Sequence, residues 1–105
     1  MNHAKGLVLL ALCLMFPIVS QAGDPKAAET QAKTLCAGCH GPNGVSMNPL
    51  WPNLAGQQDQ YLIKSMQDYR NGTRNDPIMA PLAQTLTDEA IADLAAYFTS
   101  LPPGG

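Results

Sequence analysis

Cys36, Ala37, Gly38, Cys39 and His40 place two thiols and an imidazole within five consecutive positions. Cysteines three residues apart near a helix end lie on one side of the backbone, where both thiols can reach the same planar group. C-x-x-C-H is the spacing at which each thiol forms a thioether to one haem vinyl group and the next histidine supplies an axial ligand to iron. Three other chemistries use the same residue types. A redox dithiol of the thioredoxin kind needs strand–helix–strand surroundings, and no strand pattern flanks this motif. Structural zinc takes four ligands, whereas Cys36, Cys39 and His40 are the only Cys or His beyond residue 22. A disulfide between Cys36 and Cys39 would close too small a loop to stabilise much. The motif therefore points to haem c, one per chain, attached through Cys36 and Cys39 with His40 on the iron.

The second axial ligand decides what such a haem does. No second histidine follows residue 22, so two histidines cannot hold the iron within that part of the chain. Met47, Met66 and Met79 remain. Met66 falls on the apolar face of a predicted helix, where core packing is the ordinary role. Met47 follows His40 by only seven residues, in a turn-rich loop that would have to wrap the haem edge quickly. Met79 stands in Pro77-Ile78-Met79-Ala80-Pro81, and the flanking prolines predict a stiff, extended backbone that lays one side chain across the far face. Met79 is the preferred ligand on these grounds. A thioether favours ferrous iron and raises the potential, and six-coordinate iron has no vacant site for oxygen. Both points favour electron transfer over oxygen chemistry.

Positioning these side chains falls to a short chain. Of its 105 residues, the first 22 read as a cleaved export leader: Lys5 is the positive end, Leu7 to Phe16 the apolar stretch, and Ser20-Gln21-Ala22 the cleavage site. The apolar run is too short to span a bilayer, so no retained membrane anchor is expected. Cys13 follows Leu12 rather than a small residue and reads as part of the leader, not as a lipid anchor. Residues 23–105 would then form one domain of 83 residues in the periplasm, with five basic against eight acidic side chains. That balance argues against a nucleic-acid partner, since little is available to neutralise phosphates. A domain of this size usually needs a staple, and a covalent cofactor would provide one.

The expected fold is all-α. Asp24 caps a first helix with Pro25 at its first position, and Ala28, Ala32, Leu35 and Cys39 share its apolar face. Gly41 to Gly56 is turn punctuation. A second helix runs from about Asp59 to Asn71, with Leu62, Met66 and Tyr69 on one face and Gly72 as its stop. Thr73 to Leu86 reads as a loop. Thr87 caps the last helix, whose stripe is Ile91, Leu94, Ala95 and Phe98, and Pro102-Pro103 ends it.

These features together resemble a class I cytochrome c, in particular the short soluble bacterial type and one half of the dihaem proteobacterial type. The likeness rests on the haem motif and on Gly41-Pro42-Asn43-Gly44 through Pro52-Asn53-Leu54-Ala55-Gly56-Gln57. It continues through Asp76-Pro77-Ile78-Met79, Leu86-Thr87-Asp88 and Leu94-Ala95-Ala96-Tyr97-Phe98. The resemblance implies three main helices wrapped around one haem, His40 and Met79 as axial ligands, and periplasmic transfer of single electrons without enzymatic turnover. It also implies that the Pro52 carbonyl accepts the ring N–H of His40. Implied partners are a redox donor and acceptor: a dehydrogenase, a cytochrome bc-type complex, or a terminal oxidase or reductase. The chain departs from the mitochondrial pattern in two ways. Ala28 and Ala32 stand where that pattern has an aromatic, with Trp51 or Tyr61 as candidates to fill the space, and a lysine ring is absent. Acidic side chains such as Asp59 and Asp76 could instead steer a basic partner.

Overall fold

Asp24 followed by Pro25 starts a helix for two separate reasons. The Asp24 carboxylate accepts from Lys26 N–H at 2.9 Å, and Pro25 brings a preset φ to a position whose N–H has no helical partner. The helix α1 (Pro25–Gln31) buries Ala28 and then widens into a π-helical turn over Ala32–Cys36 before α2 (Ala37–His40). The computed structural model describes residue 6, residues 8–17 and residues 23–104.

The π turn was not legible in the side-chain pattern, and it changes which face looks where. One extra residue in a turn rotates everything after it by about 100° relative to an uninterrupted α-helix. Ala28 and Ala32 therefore lie buried in the core while Leu35, expected on the same face, is 41% exposed. Gly41 ends the run at φ +84°, where a Cβ would meet the Val45 carbonyl oxygen.

Helix α3 (Asp59–Asn71) ends at Gly72, which takes the left-handed conformation at the C-cap, as its sequence position predicts. A short helix, α4 (Met79–Ala83), follows. It corrects the expectation of extended backbone around Met79. Pro81 is its third residue, and the first turn of a helix has no intrahelical use for that N–H. Helix α5 (Asp88–Ser100) starts at Thr87, whose hydroxyl accepts from Ala90 N–H at 3.1 Å.

Helix α5 carries most of the core. It packs against α1 and α3, and α3 also packs against α4. Ile91, Leu94, Ala95, Tyr97 and Phe98 form one buried cluster with Ala28, Ala32, Leu62 and Leu86. Tyr97 and Phe98 meet edge-to-face with ring centroids 5.2 Å apart. Ala28 on α1 and Ala32 on the π turn pack into this cluster, and Asp93 on α5 accepts from Asp24 N–H at 2.7 Å, tying the start of the first helix to the last. Neither Trp51 nor Tyr61 belongs to that cluster; both face the cavity described below. Among the described residues no strand occurs, and no helix is long and apolar enough to cross a membrane.

Residues 8–17 have no regular structure, and their apolar side chains stay in solvent; Val8 is 83% and Met15 93% exposed. They do not form a buried N-terminal helix. The expected cleavage site Ser20-Gln21-Ala22, and Lys5 before it, lie outside the described residues.

Candidate functional site

The helical run Pro25–His40 delivers Cys36, Cys39 and His40 to one wall of a cavity of about 400 Å³. Its remaining walls come from the loop after Gly41, from α3, from the segment before and within α4, and from Leu94 and Phe98 of α5. The lining is mostly apolar, including Trp51, Leu54, Leu62, Leu82 and Leu86. A volume of this size is in the range of cofactor sites.

His40 is buried, at 8% exposure, and its Nδ1 lies 2.8 Å from the Pro52 carbonyl oxygen. A carbonyl can only accept, so Nδ1 carries the hydrogen, and in the neutral ring Nε2 holds the lone pair. The imidazole is thereby fixed in orientation and tautomer as a metal-ligating histidine is.

Pro52 reaches this position through a loop closed on itself. Gly44 O accepts from Leu54 N–H at 2.8 Å and from Ala55 N–H at 3.0 Å, which brings residues 52–55 back beside the motif. Asn53 Oδ1 accepts from Ser46 N–H at 2.7 Å, and Asn48 Oδ1 accepts from Leu50 N–H at 2.9 Å. The turn residues that read as helix breakers are therefore the ones that wrap the loop back onto His40.

The methionines are sorted by this geometry. Met47 is 93% exposed and lies outside the cavity lining. Met79, half-buried at the start of α4, lines the cavity. So does Met66, which also packs against the buried cluster. The structure thus places Cys36, Cys39, His40, Pro52 and Met79 around one cavity, together with Met66, which the sequence reading gave only a core-packing role.

Electrostatics bear on the rival chemistries. Burial, and to a smaller extent the neighbouring Cys39, push the Cys36 thiol up to about 11. Dithiol exchange uses a thiolate, which burial of Cys36 disfavours. Cys36 and Cys39 are not joined by a disulfide. Among the described residues no group of three His, Cys, Asp or Glu side chains is arranged to hold a bare metal ion. Two half-buried thiols on the cavity wall, an imidazole oriented by a carbonyl and an apolar enclosure fit a covalently attached haem.

Two further residues belong to the cavity, Arg74, which the sequence reading gave no role, and Asp76, which it gave only as a steering charge and as part of the family resemblance. The Arg74 guanidinium lies 4.3 Å from the Tyr69 ring centroid. Asp76-Pro77 repeats the cap-and-proline pair of Asp24-Pro25, and that signal could have revealed the short helix after it.

Residues 25–102 match the cytochrome c family. The chain is 45% identical over 82 residues to cytochrome c4 of Thiocapsa roseopersicina, covering 78% of this chain and 42% of that relative. It is 48% identical over 82 residues to cytochrome c-554(548) of Halomonas halodenitrificans, covering 75% of this chain and 98% of the relative. It is also 36% identical over 95 residues to a thiosulfate dehydrogenase electron acceptor of Stutzerimonas stutzeri, covering 85% of this chain and 44% of that protein. The crystal structure of reduced recombinant cytochrome c4 from Pseudomonas stutzeri superposes with a TM-score of 0.65 at 34% identity, covering 76% of this chain and 50% of that one. The chain thus spans about half the length of the cytochrome c4 relatives that it matches. With an all-α cytochrome c fold built around a site for covalent haem c, this chain belongs to the cytochrome c family.

Proposed function

We propose that the chain is a one-electron carrier whose single haem c is held by Cys36 and Cys39 and ligated by His40 and Met79. The observation that carries this reading is the convergence of these four side chains on one apolar cavity, with His40 already oriented by Pro52. The haem, when bound, supplies an iron couple that gains and loses one electron. The protein's own residues do the rest. Cys36 and Cys39 anchor by thioethers, and the Pro52 carbonyl keeps the His40 Nε2 lone pair available. The Met79 thioether favours the ferrous state, and the apolar walls limit water. With His40 and Met79 both ligating, no coordination site would be left for substrate or oxygen, which is the property of a carrier and not of an enzyme.

Residues 1–22 act as a cleaved export leader in this proposal, leaving residues 23–105 as a periplasmic domain. The unpacked, solvent-facing side chains of residues 8–17 support the separation of leader and domain. The relative named as an electron acceptor of thiosulfate dehydrogenase supports a redox enzyme as donor. A cytochrome bc-type complex or a terminal oxidase or reductase would complete the path.

A second reading, a subunit fixed to a dehydrogenase, draws on a thiosulfate dehydrogenase structure from Marichromatium purpuratum, of which this chain matches 19% at 33% identity. Purification at high salt separates the two: a free monomer supports the shuttle, and a stoichiometric partner supports the subunit. The ligand set is tested by methionine variants of the haem-loaded protein. Met79→Ala should abolish the ferric methionine-to-iron charge-transfer band and let the reduced protein bind carbon monoxide, while Met66→Ala should do neither. The reverse pattern would transfer the ligand role to Met66.

A further inference from the structure

Met79 is anchored by one residue acting through three successive backbone amides. Asp76 Oδ1 accepts from Ile78 N–H at 2.9 Å and from Met79 N–H at 2.7 Å, and the Asp76 backbone oxygen accepts from Ala80 N–H at 3.1 Å. The Asp76 carboxylate thus caps the turn of Pro77 and Ile78 that leads into α4. No other side chain caps α4, because Ile78, which directly precedes the helix, has none to offer.

The anchoring matters because of where Met79 sits. Met66 is held in the middle of the 13-residue α3, with helical turns on both sides. Met79 opens a helix of five residues, too short to be stable by itself. Position and orientation at its first residue therefore depend on what holds that end. Asp76 also lines the cavity, as does Arg74. The ionised form of Asp76 is favoured first by the Met79 amide, then by the Ile78 amide, with a smaller contribution from Arg74.

We propose that Asp76 is the positioning residue for Met79: its side-chain oxygen fixes the backbone from which the thioether reaches the iron, and so sets how firmly methionine holds the sixth position. This rests on the reading of Met79 as axial ligand. In this role Asp76 acts on the Met79 backbone and not on the iron. It works by removing the freedom of the Met79 main chain, so an exogenous ligand must displace a methionine that is already in place.

The test uses the haem-loaded protein and its Asp76→Ala, Asp76→Asn and Met79→Ala variants. Readouts are the ferric methionine-to-iron charge-transfer band and the affinity of ferric protein for added imidazole. Loss of the cap in Asp76→Ala should weaken the band and raise imidazole affinity by about tenfold. Asp76→Asn keeps a side-chain oxygen and should stay within about twofold of the parent protein. Met79→Ala should lack the band altogether. A lower melting temperature in Asp76→Ala with unchanged band and imidazole affinity would overturn the proposal, since it would show a structural role only. An Asp76→Asn variant as impaired as Asp76→Ala would also overturn it. A Met79→Ala variant that keeps the band would remove the axial-ligand reading itself, and the positioning role with it.

Discussion

Replacing Met79 with alanine removes the soft ligand that favours ferrous iron, so the reduction potential should fall by on the order of 0.1 V or more. Met47→Ala should leave the potential unchanged, because Met47 stands in solvent outside the cavity. Potentiometric titration of the two variants checks both. At this scale the motif residues were the legible part: two thiols and an imidazole at fixed spacing carry their chemistry in their identity. The contact between Pro52 and His40 was implied only by resemblance. A backbone oxygen leaves no mark in composition, and its placement depends on twelve residues of loop closing correctly. Substituting Pro52 by alanine keeps that oxygen, so the low-spin spectrum should survive; a high-spin ferric spectrum would show that the proline ring itself is required. Asp76 was read as a possible steering charge, and its bonds to the Ile78 and Met79 amides assign its carboxylate a local partner.

Helix existence and caps followed from sequence because Asp24, Pro25, Gly72 and Thr87 each solve a local hydrogen-bonding or backbone problem. The π turn and α4 did not. A π turn answers a tertiary demand, namely that the buried alanines face α5 while Cys36, Cys39 and His40 face the cavity. The short helix was hidden by Pro77 just before it and Pro81 within it, since prolines usually end helices but are harmless in a first turn. Connection between the methionine segment and the scaffold depends on Arg70. This α3 residue donates to Leu86 O at 3.1 Å and pairs with Asp88 at the start of α5. Asp88 is 82% exposed, so the ion pair itself contributes little, and the bond to Leu86 O carries most of the effect. Arg70→Ala should cost about 1 kcal/mol. In a domain of 60–100 residues that lowers the melting temperature by roughly 4–8 °C. A thermal melt of the haem-loaded variant measures it.

For the whole molecule, the cavity of about 400 Å³ lies among residues that would otherwise form the core. Large side chains such as Leu62, Leu86, Leu94 and Phe98 belong to the buried cluster and line the cavity as well. Without a group between them they have too few partners to balance the conformational entropy of a chain this short. A Cys36→Ser, Cys39→Ser chain made without haem should therefore be largely unfolded by far-ultraviolet circular dichroism; a cooperative melt would contradict that. Overall architecture was legible because three amphipathic helices and one covalent motif leave few alternatives. The chain's place in a larger electron path was not, because partner choice resides in surface shape rather than in any motif.

The most direct test of the central claim is a pair of optical spectra of the purified protein, oxidised and reduced, the reduced sample recorded again under carbon monoxide. We predict haem that stays with the chain on denaturation, low-spin spectra in both states, a ferric methionine-to-iron charge-transfer band, and no change on adding carbon monoxide. Haem extracted by acidic organic solvent, or a reduced spectrum shifted at once by carbon monoxide, would contradict a covalently held, six-coordinate electron carrier.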